Sequence, residues 1–224
     1  MLTSSSPLSF LGLLVSLILL LFMPGLFSDY SGALISILFA LVLIASLYLV
    51  ATERKHLIIG LTLAVPALLT HWSLPLLSET TRLTINACFQ ILFLSYVCTQ
   101  IFTYLFRARK IESNVIYAAL CLYLMLGLIW TFAYLLIEIN SPGAIALKNE
   151  FDLLTDNPRE LIAEIMYFSF VTITTLGYGD ITPVSPLAQS LVIIQAFVGQ
   201  IYVAIVIARL VGLQIAAQLH DNQE

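Results

Sequence analysis

Charge is what this chain has least of. Of 224 residues only 10% are Asp, Glu, Lys or Arg, while 60% are hydrophobic, a mixture outside the soluble range that points to a bilayer as the surrounding medium. The formal net charge of −4 decides little, and nine scattered Lys and Arg residues give no reason to expect a nucleic-acid partner. Cysteine is scarce too. Cys88, Cys98 and Cys121 lie inside apolar runs, and an odd number without loop partners excludes a disulfide framework; they read as apolar filler. His56, His71 and His220 fall at different heights along the spans, which disfavours a bis-histidine haem and leaves them as interface or tail residues. There is no zinc or thiol-redox spacing, no nucleophile–base set and no cofactor loop, so neither an enzyme nor an organic cofactor is expected. A basic leader and a small-residue cleavage site are also missing, so the apolar stretch Leu8 to Met23 reads as a retained first span rather than a signal peptide.

The few charges cut the chain into runs long enough to cross a membrane at about 20 residues each. Six appear, 1–28, 30–52, 56–78, 83–106, 113–137 and 181–208, and a seventh, 165–179, is too short. The first is expected to end near Pro24-Gly25 and to turn at Asp29. The second runs from Gly32 to Val50 and is followed by Glu53, Arg54, Lys55 and His56. The third starts at Leu57, is interrupted by Pro66 and closes near Trp72; Pro75, Glu79 and Arg82 fall in the loop after it. The fourth covers Leu83 to Phe106 and contains no Lys or Arg. Its polar residues Asn86, Gln90, Ser95, Thr99 and Gln100 suit hydrogen bonds between helices. The fifth covers Ser113 to Ile137, and the last ends near Leu210.

Basic residues in short loops stay on the cytoplasmic side. Arg54, Lys55, Arg107, Arg109 and Lys110 occupy the links after the second and fourth spans, whereas Arg82 stands alone in the alternate links. Both termini are therefore expected in the cytoplasm, in the plasma or inner membrane of the cell. The cluster at 107–110 is a topology signal, with an anionic-lipid contact as the sharper alternative.

Between the last two spans the sequence changes character. Ser141-Pro142-Gly143 turns the chain into a segment whose Glu138, Glu150, Asp152, Asp156, Glu160 and Glu164 outnumber Lys148 and Arg159, a solvated stretch that also concentrates cations. Asn157-Pro158-Arg159-Glu160 then starts a helix: a capping side chain, proline at the first position and an acid in the first turn. A helix from Pro158 to about Thr172 is only ~22 Å long, short of the ~30 Å core. It must enter and stop midway, with its carbonyl end facing the membrane centre. After it comes Thr174-Thr175-Leu176-Gly177-Tyr178-Gly179-Asp180. Glycines on both sides of Tyr178 allow positive φ at alternate positions, which aims successive carbonyl oxygens along one axis. One such loop is one wall of a ring, so four chains are needed to close it.

The run Thr-Leu-Gly-Tyr-Gly-Asp resembles the selectivity filter of potassium channels, with Leu176 where the usual form has Val. Residues 112–213 as a whole are similar to the two-span pore module of bacterial potassium channels. The resemblance implies an all-α integral membrane protein of six transmembrane helices plus a re-entrant pore helix. It further implies a homotetramer in the lipid bilayer conducting K⁺ passively, with K⁺ as the permeant ion and no soluble ligand domain. It places K⁺ at the carbonyls of Thr175, Leu176, Gly177, Tyr178 and Gly179, and gives filter support to Thr174, Asp180, Tyr167, Phe168 and Val171. Gly199 falls at the inner-helix gating hinge, with close helix packing the other reading, and Gln200, Val203 and Ile207 fall at cavity-lining positions. The division expected is 1–110, a four-helix bundle; 111–214, the pore domain; and 215–224, a short tail. Two departures stand out. Some relatives carry an acid in the pore helix where this chain has Val171, so Asp180 needs another partner, with the Tyr167 hydroxyl in reach. And the fourth span lacks the arginines of a voltage sensor. A weakly selective cation channel and a non-conducting modulatory subunit remain the alternatives.

Overall fold

The computed structural model describes residues 7–26, 32–50, 54–71, 78–108, 110–148 and 158–221. Asp29, Glu53, Trp72, Pro75, Arg109, Glu150, Asp152, Asp156 and Asn157, on which parts of the topology and helix-start argument rest, lie outside them, as do the side chains of His71 and His220. The described elements are α1 (Pro7–Leu26), α2 (Gly32–Val50), α3 (Arg54–His71), α4 (Glu79–Arg107), α5 (Ser113–Asn140), β1 (Ile145–Ala146), α6 (Pro158–Ile173), β2 (Thr182–Pro183) and α7 (Pro186–Asp221). Glu79–Arg107, Ser113–Asn140 and Pro186–Ile215 are long and apolar enough to cross a membrane. α1, α2 and α3 have 20, 19 and 18 residues, which at 1.5 Å per residue reach about 27–30 Å.

α4 begins on an N-cap: the Ser78 hydroxyl accepts from the Thr81 amide at 3.3 Å, and Glu79 in the first turn with Arg107 in the last complements the helix dipole. Pro66 does not interrupt α3, which runs through it. The polar face of α4 accompanies that passage: Asn86 donates to the Ala67 carbonyl at 2.9 Å and to Thr70 Oγ1 at 3.0 Å, and Arg82 to the Thr70 carbonyl at 3.0 Å. These bonds tie the last turns of α3 to the start of α4. Thr99, by contrast, bonds within its own helix, to the Tyr96 carbonyl. His56 sits 2.7 Å from the Tyr96 hydroxyl, a further tie between α3 and α4. Cys98 and Cys121 are buried, Cys88 is exposed and all three are free.

α4 packs mainly against α5, and α1 packs on both α2 and α5. The seam buries Phe93, Leu94, Val97 and Ile101 against Ala118, Cys121, Leu122 and Met125. The link between α4 and α5 is residues 108–112, which spans at most about 17 Å. So short a tether keeps α4 beside α5 of the same chain.

α7 extends further than the sequence indicates. It continues past Leu210 to Asp221, because Leu213 to Leu219 contains no breaker and is rich in helix formers; residues 215–221 are thus helical. On the inward face of α7, Arg209 donates to the carbonyls of Leu105 at 3.1 Å, Phe106 at 2.6 Å and Ala108 at 3.0 Å, with its guanidinium 5.0 Å from the centre of the Phe106 ring. The first two belong to the last turn of α4, whose carbonyls have no partner inside the helix. Replacing Arg209 by Met is expected to lower stability by about 1.5–3 kcal/mol, the scale of charge-assisted hydrogen bonds. Thermal unfolding of the purified variant in detergent checks this, and an unchanged midpoint would refute the capping role.

Candidate functional site: a short helix and its terminal loop

α6 has 16 residues, about 24 Å of helix, too short for the ~30 Å hydrocarbon core. The last four carbonyls of any helix lack intrahelical donors, and inside a membrane each must find one. Here all four do. Phe170 O accepts from the Thr174 amide (3.2 Å) and hydroxyl (2.7 Å); Val171 O from the amides of Leu176 (3.0 Å) and Gly177 (3.3 Å); Thr172 O from the Thr175 amide (2.9 Å). Ile173 O accepts from the Tyr123 hydroxyl of α5 at 3.1 Å. The loop is therefore folded back on the helix it leaves, with its N–H groups consumed by the helix end.

Its carbonyls are used by nothing: among the described residues no hydrogen bond ends on the oxygens of residues 175–179. Positive φ recurs at Thr175 (58°), Gly177 (56°) and Gly179 (77°), with Leu176 and Tyr178 between them in ordinary backbone. That alternation turns successive peptide planes the same way. Gly177 and Gly179 fill this role as the sequence indicates; Thr175 is a surprise, since a β-branched residue at positive φ stores of order 1–3 kcal/mol. In the single chain Leu176 and Tyr178 are 55% and 67% exposed.

Behind the loop lies a buried polar lattice that joins three helices. Tyr134 Oη of α5 donates to Gln195 Oε1 of α7 at 2.6 Å. Gln195 Nε2 donates to the carbonyl and hydroxyl oxygens of Ser169, each at 2.9 Å, and Ser169 Oγ donates to Gly127 O at 2.7 Å. Phe168 stacks obliquely on Tyr134, ring centres 5.0 Å apart. A Cβ on Gly127 would come within 2.5 Å of the Phe170 ring, and one on Gly199 within 2.3 Å of the Ile173 carbonyl oxygen. Gly199 is thus the point where α7 touches the end of α6 backbone to backbone. Gln195, Gly199, Tyr202 and Arg209 form the face of α7 turned to its own chain, whereas Gln200, Val203 and Ile207 line up on the exposed face.

The outer side is held by a strap. Glu138, placed among the mouth acids by the sequence, is buried instead and accepts from the amides of Gly143 at 2.7 Å and Ile145 at 2.9 Å. β1 pairs antiparallel with β2, Ile145 opposite Pro183 and Ala146 opposite Thr182, the one strand pair in an otherwise helical fold among the described residues. The Lys148 amide donates to Glu164 at 3.1 Å. Asp180 Oδ2 then receives both the Tyr167 hydroxyl at 2.8 Å and the Lys148 ammonium at 2.9 Å. The Lys148 ammonium, with the Tyr167 hydroxyl second, holds Asp180 below its ordinary carboxylate value, and Asp180 in turn raises Lys148.

The sequence reading brings Thr174, Tyr167, Phe168, Val171 and Asp180 to this site, and the structure places all of them around the loop. Val171 contributes its carbonyl rather than its side chain. Missed were Lys148, Glu138, Gln195, Ser169 and Tyr123. A glutamine and a serine in mid-helix of otherwise apolar runs were the available signal for the lattice; nothing local marked Lys148. No cluster of metal-ligating side chains exists among the described residues.

Residues 119–213 match a protein-family model described as "Ion channel". The chain is also 36% identical over 63 residues to "Two pore potassium channel c" of Oryza sativa subsp. japonica, a stretch covering 28% of this chain and 14% of that one. No solved structure matches it. The matched family is one of channels and not of enzymes. Over residues 119–213 the chain is thus similar to an ion-channel domain, and three of its helices are long and apolar enough to cross a membrane.

Gln195→Leu strips Tyr134 and Ser169 of their buried partner and is expected to cost about 1–3 kcal/mol for each group left unsatisfied. A lower unfolding midpoint than that of an exposed control, Gln200→Leu, checks this; equal midpoints would show that the lattice does not hold the loop.

Proposed function

We propose that the chain is one subunit of a homotetrameric potassium channel that passes K⁺ down its electrochemical gradient. The observation that carries this reading is the loop at the end of α6: N–H groups spent on the helix, carbonyls unspent, and positive φ at 175, 177 and 179. A dehydrated K⁺ needs a shell of oxygens, and four such loops around one axis supply it in stacked rings at Thr175, Leu176, Gly177 and Tyr178. The ion advances by exchanging rings, with repulsion between neighbouring ions aiding exit. The negative end of the α6 dipole favours a cation in the space below. Leu176 contributes only a carbonyl, so its difference from Val is tolerated. The cavity-lining roles of Gln200, Val203 and Ile207 suit their exposed face, and a hinge at Gly199 is compatible with its close packing.

Assembly is supported by what one chain leaves uncovered. Beside the loop, a largely apolar cavity of about 630 Å³ opens between α1, α6 and the filter, touching Leu21, Phe170, Val171 and Leu176. The outward faces of α7 expose Ile193 and Phe197 at 71% and 63%. Neighbouring copies would cover both. The reading carries six spans with both termini cytoplasmic, in the plasma or inner membrane, the filter opening outward and no arginine-based voltage sensor.

The test is current from purified protein in planar bilayers. In mixed K⁺ and Na⁺ the reversal potential should lie near that for K⁺, and Gly177→Ala should abolish the selectivity, since a Cβ at φ 56° costs about 1–2 kcal/mol in each subunit. A reversal potential insensitive to the K⁺ to Na⁺ ratio would favour a weakly selective cation channel. Tetramers that pass no current would favour a modulatory subunit.

A further inference from the structure

The outer end of the loop carries a device that the filter motif does not contain. Asp180 follows Gly179 directly, so the position of its carboxylate is tied to the last positive-φ residue of the loop. Two donors from different elements converge on one oxygen, Tyr167 from α6 and Lys148 from the segment after β1. Lys148 is itself fixed at several points. Its amide is bonded to Glu164, its ammonium lies 4.7 Å from the centre of the Tyr167 ring, and the strand before it is paired to β2 and anchored by Glu138. The chain from Glu138 through β1 to Lys148 therefore ends on the residue that closes the ion path.

Resting on the channel reading above, we infer that Lys148 is a positioning residue for conduction: its ammonium, together with the Tyr167 hydroxyl, clamps the Asp180 side chain and so keeps the outer end of the filter in its conducting shape. Removing Lys148 takes away one of the two donors and the side-chain tie from the β1 segment to the loop exit, so the outer end leaves its conducting shape more readily.

The experiment records K⁺ current in bilayers at pH 7 from wild type, Lys148→Met, Lys148→Arg, Asp180→Asn and the double variant Lys148→Met/Asp180→Asn. Lys148→Met should inactivate about two- to fivefold faster than wild type, the scale of a half-exposed ion pair. Lys148→Arg should restore the wild-type rate, and adding Lys148→Met to Asp180→Asn should change nothing further. A wild-type inactivation rate in Lys148→Met, or an effect of full size in the Asp180→Asn background, would overturn the clamp while leaving the pore reading intact. Wild-type protein that passes no K⁺ current would overturn both.

Discussion

A helix of 16 residues, too short to cross a bilayer, ends on four carbonyls with no partner inside it, and the rest of this architecture follows from how they are satisfied. Three are met by amides of the loop that follows and the fourth by the Tyr123 hydroxyl. The same bonds determine two properties at once. They terminate α6 without a polar defect, and they consume the N–H side of residues 174–177 so that only carbonyls are left for an outside ligand. A water-exposed helix end could have been capped in many ways; at this depth the loop itself is the cap.

Such a loop stays in place only if the helix behind it cannot move. The Tyr134–Gln195–Ser169–Gly127 lattice fixes α6 against α5 and α7 at its middle, and the contact of Gly199 with the Ile173 carbonyl fixes its end. On the other side the β1–β2 pair and Lys148 hold the exit from the loop. The leading helices join through three routes, the α4–α5 seam, the packing of α1 on α5 and the Arg209 cap on the end of α4. Movement of α4 would therefore be felt directly by the lower half of α7.

Much of this was legible in the sequence. The apolar runs gave the helices, because hydropathy over about 20 residues survives any tertiary context. Pro158 with Glu160 marked the start of the short helix α6, and glycines at 177 and 179 marked the backbone hand there. What escaped was non-local or depended on neighbours. Thr175 adopts positive φ because the bonds around it demand it, against its own preference. Glu138 looked like one more mouth acid, yet the extension of α5 to Asn140 buries it under the turn it caps. Lys148 and Asp180 are far apart in the chain, and a strand pair two residues long has no periodicity to detect. Pro66 was no stop signal: α3 continues through it to His71, with Asn86 and Arg82 of α4 bonded to its last turns.

The central claim is that four copies bring the unspent carbonyls of residues 175–178 onto one axis as an ion-binding column. A density map of the assembly purified in Rb⁺, compared with one in Na⁺, tests it most directly. The account predicts fourfold symmetry and a column of ion peaks on the axis at the height of the Thr175 to Tyr178 carbonyls, present in Rb⁺ and weakened or rearranged in Na⁺. A single subunit, or a fourfold assembly whose axis is empty in Rb⁺, would contradict it.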